Sequence, residues 1–256
     1  MKKLVTVIML FAVLGMFTEA ICSEKGVDEK SLAAIEKLKK QKVTPEKDFD
    51  YYELDNGTIK ITAYNGNAKE IIIPSAIKGK TVSFIDLSDS SDEWKEEIVT
   101  GIVIPEGVVC ISGFSDMEVL QTVALPSSLR IIDDECFYDC YELINIVFPE
   151  NLLIIGNFGV YGTNIKSLSL PPSLRFIGHR AFSGNQNLEE IYISDNHNIY
   201  GFYDMNKFDQ DALSFDNYIY GDKIKDSPIL KRKFKALDTN SIKTLKEIIN
   251  KYKPEY

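Results

Sequence analysis

One short phrase recurs six times in this chain and decides what it can fold into: apolar–x–x–apolar–x–apolar–Pro. It reads Ala68-x-x-Ile71-x-Ile73-Pro74, Val99-x-x-Ile102-x-Ile104-Pro105, Leu120-x-x-Val123-x-Leu125-Pro126, Leu143-x-x-Ile146-x-Phe148-Pro149 and Ile165-x-x-Leu168-x-Leu170-Pro171. The sixth is Leu188-x-x-Ile191-x-Ile193, with Ser194 where the proline is expected. The prolines stand 31, 21, 23 and 22 residues apart. Repetition at such a period predicts a solenoid. No unit can bury its apolar residues alone, so stacked neighbours must align them into one core. A solenoid is an extended surface, suited to binding more than to enclosing a reaction.

Each phrase predicts a short strand. The residues three and one before the proline share a face, because side chains alternate along a strand. Proline ends the segment, having no N–H to give to a ladder. The expectation is one parallel sheet of six rungs, with Ile71, Ile102, Val123, Ile146, Leu168 and Ile191 stacked inside. A spaced apolar pair and an aromatic follow each proline. Leu129, Ile132 and Phe137 do so after Pro126; Leu174, Ile177 and Phe182 do so after Pro171. Phe114 comes two residues early in its unit, and Gly159-Val160 replaces the ring in the next but one.

These residues resemble the BspA-type bacterial leucine-rich repeat, of the form L-x-x-I-x-I-P-x-x-L-x-x-I-x-x-x-A-F-x-x-C. The segments LINIVFP (143–149), PSSLRIIDDECFYDC (126–140) and PPSLRFIGHRAF (171–182) carry the likeness, which covers about residues 57–194. The resemblance implies a right-handed, mainly β solenoid without catalytic residues or cofactor. It also implies use on bacterial surfaces as an adhesion or binding module. The ligand is not implied.

The N-terminus predicts export. Lys2 and Lys3 precede an apolar run from Leu4 to Phe17, and Thr18-Glu19-Ala20 fits a cleavage site. This is the pattern of a secretory signal over residues 1–20, and the run is too short for a membrane anchor. Cys22 leaves a second route open, lipidation at a new N-terminus, although Ile21 fits that pattern poorly. The protein is then freely secreted, or held at the cell surface by an acyl chain.

Without residues 1–20 the formal charge moves from -9 to -10. An acidic protein is a poor match for nucleic acid or anionic lipid. The basic residues between Lys223 and Lys253 read as the solvated face of terminal helices. Four cysteines in an exported chain ordinarily suggest disulfides. Here Cys140 occupies the repeat's own cysteine column and Cys136 precedes the column aromatic, so both should face inward as small hydrophobes. A bridge from Cys110 to one of them stays open.

Residues 21–50 read as a charged spacer, with a marginal helix in SLAAIEKLKK that places Leu32, Ile35 and Leu38 at spacing three. The solenoid runs over 51–197 and opens with a hairpin, YYEL and TIKITAY, around Asn56-Gly57, the residues of a tight turn. This hairpin should cap the first coil. The insertion DLSDSSDEWKEE (86–97) carries six acids and Trp94; it reads as a solvated loop, since its order does not match a calcium loop. Residues 198–256 should form an aromatic and partly helical C-terminal cap. Pro228 to Leu237 reads as a short helix there. A second helix presents Ile242, Leu245, Ile248, Ile249 and Tyr252, capped by Thr239 or Asn240.

No catalytic constellation stands out, and His179 and His197 read as incidental. The informative surface is the outward face of the six strands, with Glu70/Ile72, Gly101/Val103, Thr122/Ala124, Asn145/Val147, Ser167/Ser169 and Glu190/Tyr192. The candidate partner-binding residues are Ile72, Val103, Thr122, Ala124, Asn145, Val147, Ser169 and Tyr192. Contiguous apolar groups on a sheet can mark a partner site, although strand composition alone also favours β-branched residues. The leading reading is a module that attaches to a protein on a host or microbial surface. The runner-up is a structural envelope protein that holds a glycan or assembles with other surface proteins. An enzyme with its site in 195–256 is a distant third.

Overall fold

The computed structural model describes residues 29–90, 98–193, 199–202, 234–235 and 238–253. Every phrase forms its strand: β3 (Glu70–Ile72), β6 (Gly101–Val103), β8 (Thr122–Ala124), β10 (Asn145–Ile146), β12 (Ser167–Ser169) and β14 (Glu190–Tyr192). All pairings among them are parallel, and the register aligns Ile71, Ile102, Val123 and Ile146, then Leu168 and Ile191. Ile71, Ile102, Val123 and Leu168 are buried, and Ile146 and Ile191 pack against the same core. The expected single sheet is divided, however. Its ladder runs β3-β6-β8-β10 and resumes as β12-β14. β10 is only two residues long, so the ladder narrows at that rung. The Asn164 N–H, donating to Leu143 O at 3.0 Å, still keeps those two coils in step.

A second column of strands follows the prolines, and the period alone did not reveal it. It comprises β5 (Lys80–Asp86), β7 (Cys110–Ser112), β9 (Ile131–Ile132), β11 (Ile154–Ile155), β13 (Phe176–Gly178) and β15 (Ile199–Phe202). The turn into it is regular: Pro105, Pro126, Pro149 and Pro171 each accept a hydrogen bond from the N–H three residues on. Ile85, Ile111, Ile132, Ile155 and Ile177 stack inward. The core is therefore a slot between two parallel ladders, closed at one edge by the proline turns.

The other edge is built from left-handed residues. Gly113, Glu135, Phe158 and Arg180 have φ of 77°, 55°, 54° and 52°. Asp116, Asp139, Gly162 and Gly184 have 60°, 54°, 67° and 76°. Two such residues per coil fold each turn back tightly. Main-chain bonds then link turn to turn, as from Phe137 N to Gly159 O and from Asp139 N to Tyr161 O, at 2.9 and 3.0 Å. Phe114, Phe137, Val160 and Phe182 stack behind this edge, all fully buried. Val160 leaves the column one ring short, and the ring of Phe148 comes within 6.2 Å of Phe182. Asn185, also fully buried, accepts from Thr163 N and Oγ1 and donates to Val160 O and Phe182 O, so all its capacity for strong bonds is used.

The N-terminal hairpin caps as expected. β1 (Phe49–Glu53) and β2 (Ile59–Tyr64) pair antiparallel, and β2 extends the second column by pairing in parallel with β5. Gly57, at φ 80°, supplies the turn's left-handed residue. β4 (Ala76–Ile77) pairs antiparallel with β5. At the far end, β15 pairs with β16 (Phe234–Lys235), which lies inside the stretch read as a helix over 228–237. Parallel pairing with Ile199 and Tyr200 holds those two residues extended. The stretch read as a secretory signal, Cys22, Trp94, His197 and most of the aromatic segment lie outside the described residues. Among the described residues, no helix is long and apolar enough to cross a membrane.

Candidate functional site

The two outward faces of the ladders are where a partner could reach the coils, and a helix lies on each. The first is α1 (Glu29–Leu38), the helix expected within the N-terminal spacer. It lies across β6, β8 and β10. Ser31, Ile35 and Leu38 are its buried residues, while Leu32 is 38% exposed. The spacing-three reading therefore picked one residue from the wrong side; Ser31, Ile35 and Leu38 follow the i, i+4, i+7 face of a helix. The sheet is shaped to receive it. A side chain at Gly101 would meet Leu38 Cδ1 at 2.9 Å, so glycine lets the Leu38 side chain lie directly on the strand. Thr44 then ties the segment to the first rung, accepting from Ile72 N at 3.0 Å and donating its own N–H to Ile72 O at 2.9 Å.

The outward row is thus not the open stripe expected from sequence. Ile72, Thr122 and Ala124 are buried, Val103 and Asn145 half-buried. Asn145 spends its amide on Thr122 Oγ1 at 2.9 Å. The physical reason is that small residues under an apolar helix face close the gap to solvent. The row stays accessible toward its end. Val147, Ser167, Ser169 and Tyr192 are half-buried there and Glu190 is exposed. The Tyr192 hydroxyl is hydrogen-bonded to the Glu190 carboxylate, which raises its pKa.

The second covered face belongs to the other column. Phe84, Cys110, Ile131, Ile154 and Phe176 point outward from successive strands yet are buried. They lie beneath α2 (Thr239–Tyr252), whose Leu245 is buried and whose Ile242, Ile248, Ile249 and Tyr252 pack beside it. The helical spacing holds, and α2 packs along the flank of the second column. Asp238 caps it in a reciprocal box with Ser241, one residue before the expected cap. Lys253 pairs with Asp133 at 2.6 Å, and the Arg130 guanidinium sits 6.0 Å from the Tyr252 ring. Nearer the hairpin, Lys60 is 2% exposed and bonds Asp86 at 2.9 Å.

A third surface escaped the sequence reading. On the left-handed edge, Tyr138 and Tyr161 occupy equivalent positions in consecutive coils. Their rings stack with centroids 4.9 Å apart and planes 9° apart. Phe158 meets both edge-on, at 6.1 and 5.6 Å, and His179 meets Phe158 at 5.6 Å. All four side chains are partly exposed. The edge is acidic at one end. Asp139, Asp116 and Glu135 raise the pKa of the Tyr138 phenol, Asp139 most of all. A hydrogen bond to Asp139 pushes Tyr141 up to about 12. Burial lowers the His179 pKa, and Arg180 adds to this. The available signal was the pair of tyrosines 23 residues apart, one solenoid period.

Among the described residues, no group of three or more His, Cys, Asp and Glu side chains is arranged to hold a metal ion. Cys110, Cys136 and Cys140 are free and buried, and burial raises all three thiols, which keeps them protonated and unreactive. Cys136 and Cys140 face the main core as expected. Cys110 points the other way, under α2, so the open question of a bridge closes against it.

Residues 95–216 match the family described as "BspA type Leucine rich repeat region", in six copies. Over these residues the chain is similar to a BspA-type leucine-rich-repeat array. The match starts after the first phrase at Ala68 and runs past the last, so repeat character extends beyond Ser194. Among solved structures, the chain is similar to a leucine-rich-repeat protein of T. pallidum, at 25% identity, with 63% of this chain and 86% of that one covered and a TM-score of 0.50. A leucine-rich-repeat protein from Bacteroides ovatus shares the fold at 23% identity and a TM-score of 0.51; 64% of this chain is covered, and it spans 43% of that one. No curated protein matches the chain.

Proposed function

We propose that this protein is an exported binding module that attaches to a protein on a host or microbial surface. Binding runs through the open end of the strand face. The observation that carries the reading is the division of that face: α1 covers β6, β8 and β10, while Val147, Ser169 and Tyr192 beyond it are half-buried, the last two on the paired strands β12 and β14. A fixed, partly apolar patch with a tyrosine is the composition of a protein-binding centre. Export rests on the basic and apolar N-terminus, and the surface setting on the repeat type.

The test is capture of surface proteins from host matrix or neighbouring bacteria by the immobilised protein lacking residues 1–20. Val147→Asp combined with Tyr192→Ala should reduce capture at least tenfold while leaving the circular-dichroism spectrum intact. Deleting residues 88–96 should change capture little. Capture lost on that deletion but kept in the face variant moves the function to the acidic insertion.

A further inference from the structure

We infer that the left-handed edge at Tyr138, Phe158 and Tyr161 is a second binding surface, which takes an arginine or lysine side chain from a basic segment of a partner protein. Three observations converge on it. The first is the length of the stack. Ser115 and Ser183 hold the positions equivalent to Tyr138 and Tyr161 in the neighbouring coils, so only two rings are stacked. Tyr161 leans on Gly184, where an added side chain would meet the Tyr161 ring at 3.1 Å. Among the described residues, the rings in contact with Tyr138 are those of Tyr161 and Phe158.

The second observation is charge. Asp116, Glu135 and Asp139 surround that end of the stack, and their field reaches the Tyr138 hydroxyl. An electron-rich ring face ringed by carboxylates attracts a guanidinium or ammonium from both directions at once. Arg180, the cation that acts on His179, stands two coils away from Tyr138. The formal negative charge of three carboxylates favours a cation over a neutral ligand, and an acidic partner is repelled by it.

The third is conformation. Phe158 sits at φ 54°, where the corresponding residue two coils earlier is Gly113 at 77°. A bulky side chain is poorly suited to this region, and glycine suits it without strain. The ring at 158 is therefore held at a cost in backbone conformation. Its edge-on contacts to Tyr138 and Tyr161 hold the two stacked rings upright.

The probe is a fluorescein-labelled octa-arginine peptide, followed by anisotropy with the protein lacking residues 1–20. Tyr138→Leu with Tyr161→Leu, which leaves the net charge unchanged, should weaken binding at least tenfold. Asp139→Asn, a residue that tolerates the left-handed backbone, with Glu135→Gln should weaken it severalfold and flatten its salt dependence. Phe158→Gly, which suits the left-handed backbone, should keep the circular-dichroism spectrum of the parent and bind less tightly. Val147→Asp with Tyr192→Ala should leave peptide binding intact, which separates this surface from the strand face. Equal binding by the tyrosine variants means that the acidic protein attracts the peptide through diffuse charge alone, and overturns the proposal. Tyrosine-dependent binding of a labelled maltohexaose, with octa-arginine unbound, overturns it in favour of a glycan.

Discussion

Phe137→Ala is expected to destabilise the middle of the array by about 3–5 kcal/mol, the range for emptying a packed aromatic site. Phe137 has no exposed surface, its ring lies 5.6 Å from Phe114, and main-chain bonds to the next coil fix the turn that carries it. Those bonds prevent the coils from collapsing into the space left behind. A solenoid transmits such damage only through neighbours. The loss should therefore show as early melting of the coils holding β9 and β11, read by hydrogen exchange at Ile131–Ile132 and Ile154–Ile155. Unchanged exchange and thermal unfolding would falsify the packing of this column.

Asp86→Ala should cost a similar amount, about 3–5 kcal/mol, because it strands the buried Lys60 ammonium. Lys60 lies 4.9 Å from the Phe84 ring and 5.9 Å from the Tyr52 ring, contacts that help a cation but do not replace its counter-charge. Replacing both members, as Lys60→Met with Asp86→Leu, should recover most of the loss. The pair also sets an acid limit. Burial alone would raise the Asp86 carboxyl. Hydrogen bonds from Ser88 and Lys60, with the Lys60 charge, outweigh this and lower it to about 2. A carboxylate held below its ordinary value of 3.8 stabilises the fold fully above that value. That contribution drains away as pH falls from about 4 to about 2. Urea midpoints across this window should fall more steeply for the parent than for the double apolar variant.

The repeat was legible because its signals are local and recur. A proline after an alternating triplet means the same thing six times, and errors in one copy are corrected by the rest. The second strand column left a signal of another kind. Ile131-Ile132, Ile154-Ile155, Phe84-Ile85 and Phe176-Ile177 are adjacent apolar pairs, and adjacent residues of a strand point to opposite faces. Both faces must then be covered, which requires an outside element such as α2. The cover on the strand face was harder to foresee. Small residues at Gly101, Thr122 and Ala124 suit a helix, but equally suit open solvent, so burial there depends on a contact between segments distant in sequence. The tyrosine stack was hidden for a related reason: Tyr138 and Tyr161 become neighbours only once the period has been folded into three dimensions.

The placement of α1 gives the array a mechanical grain. Traction on the chain upstream of Glu29 loads α1 and the Thr44–Ile72 bonds before it reaches any coil. The helix is ten residues long and buries only Ser31, Ile35 and Leu38. Such a segment peels away at far lower force than a ladder whose rungs must shear together. A protein tethered by its N-terminal region and pulled by flow should therefore uncover Ile72, Thr122 and Ala124 while its coils stay wound. In an optical trap this appears as a small, reversible extension before any coil opens. If the strand face holds the partner as proposed, strain on the tether enlarges that face, and the grip tightens as the load rises.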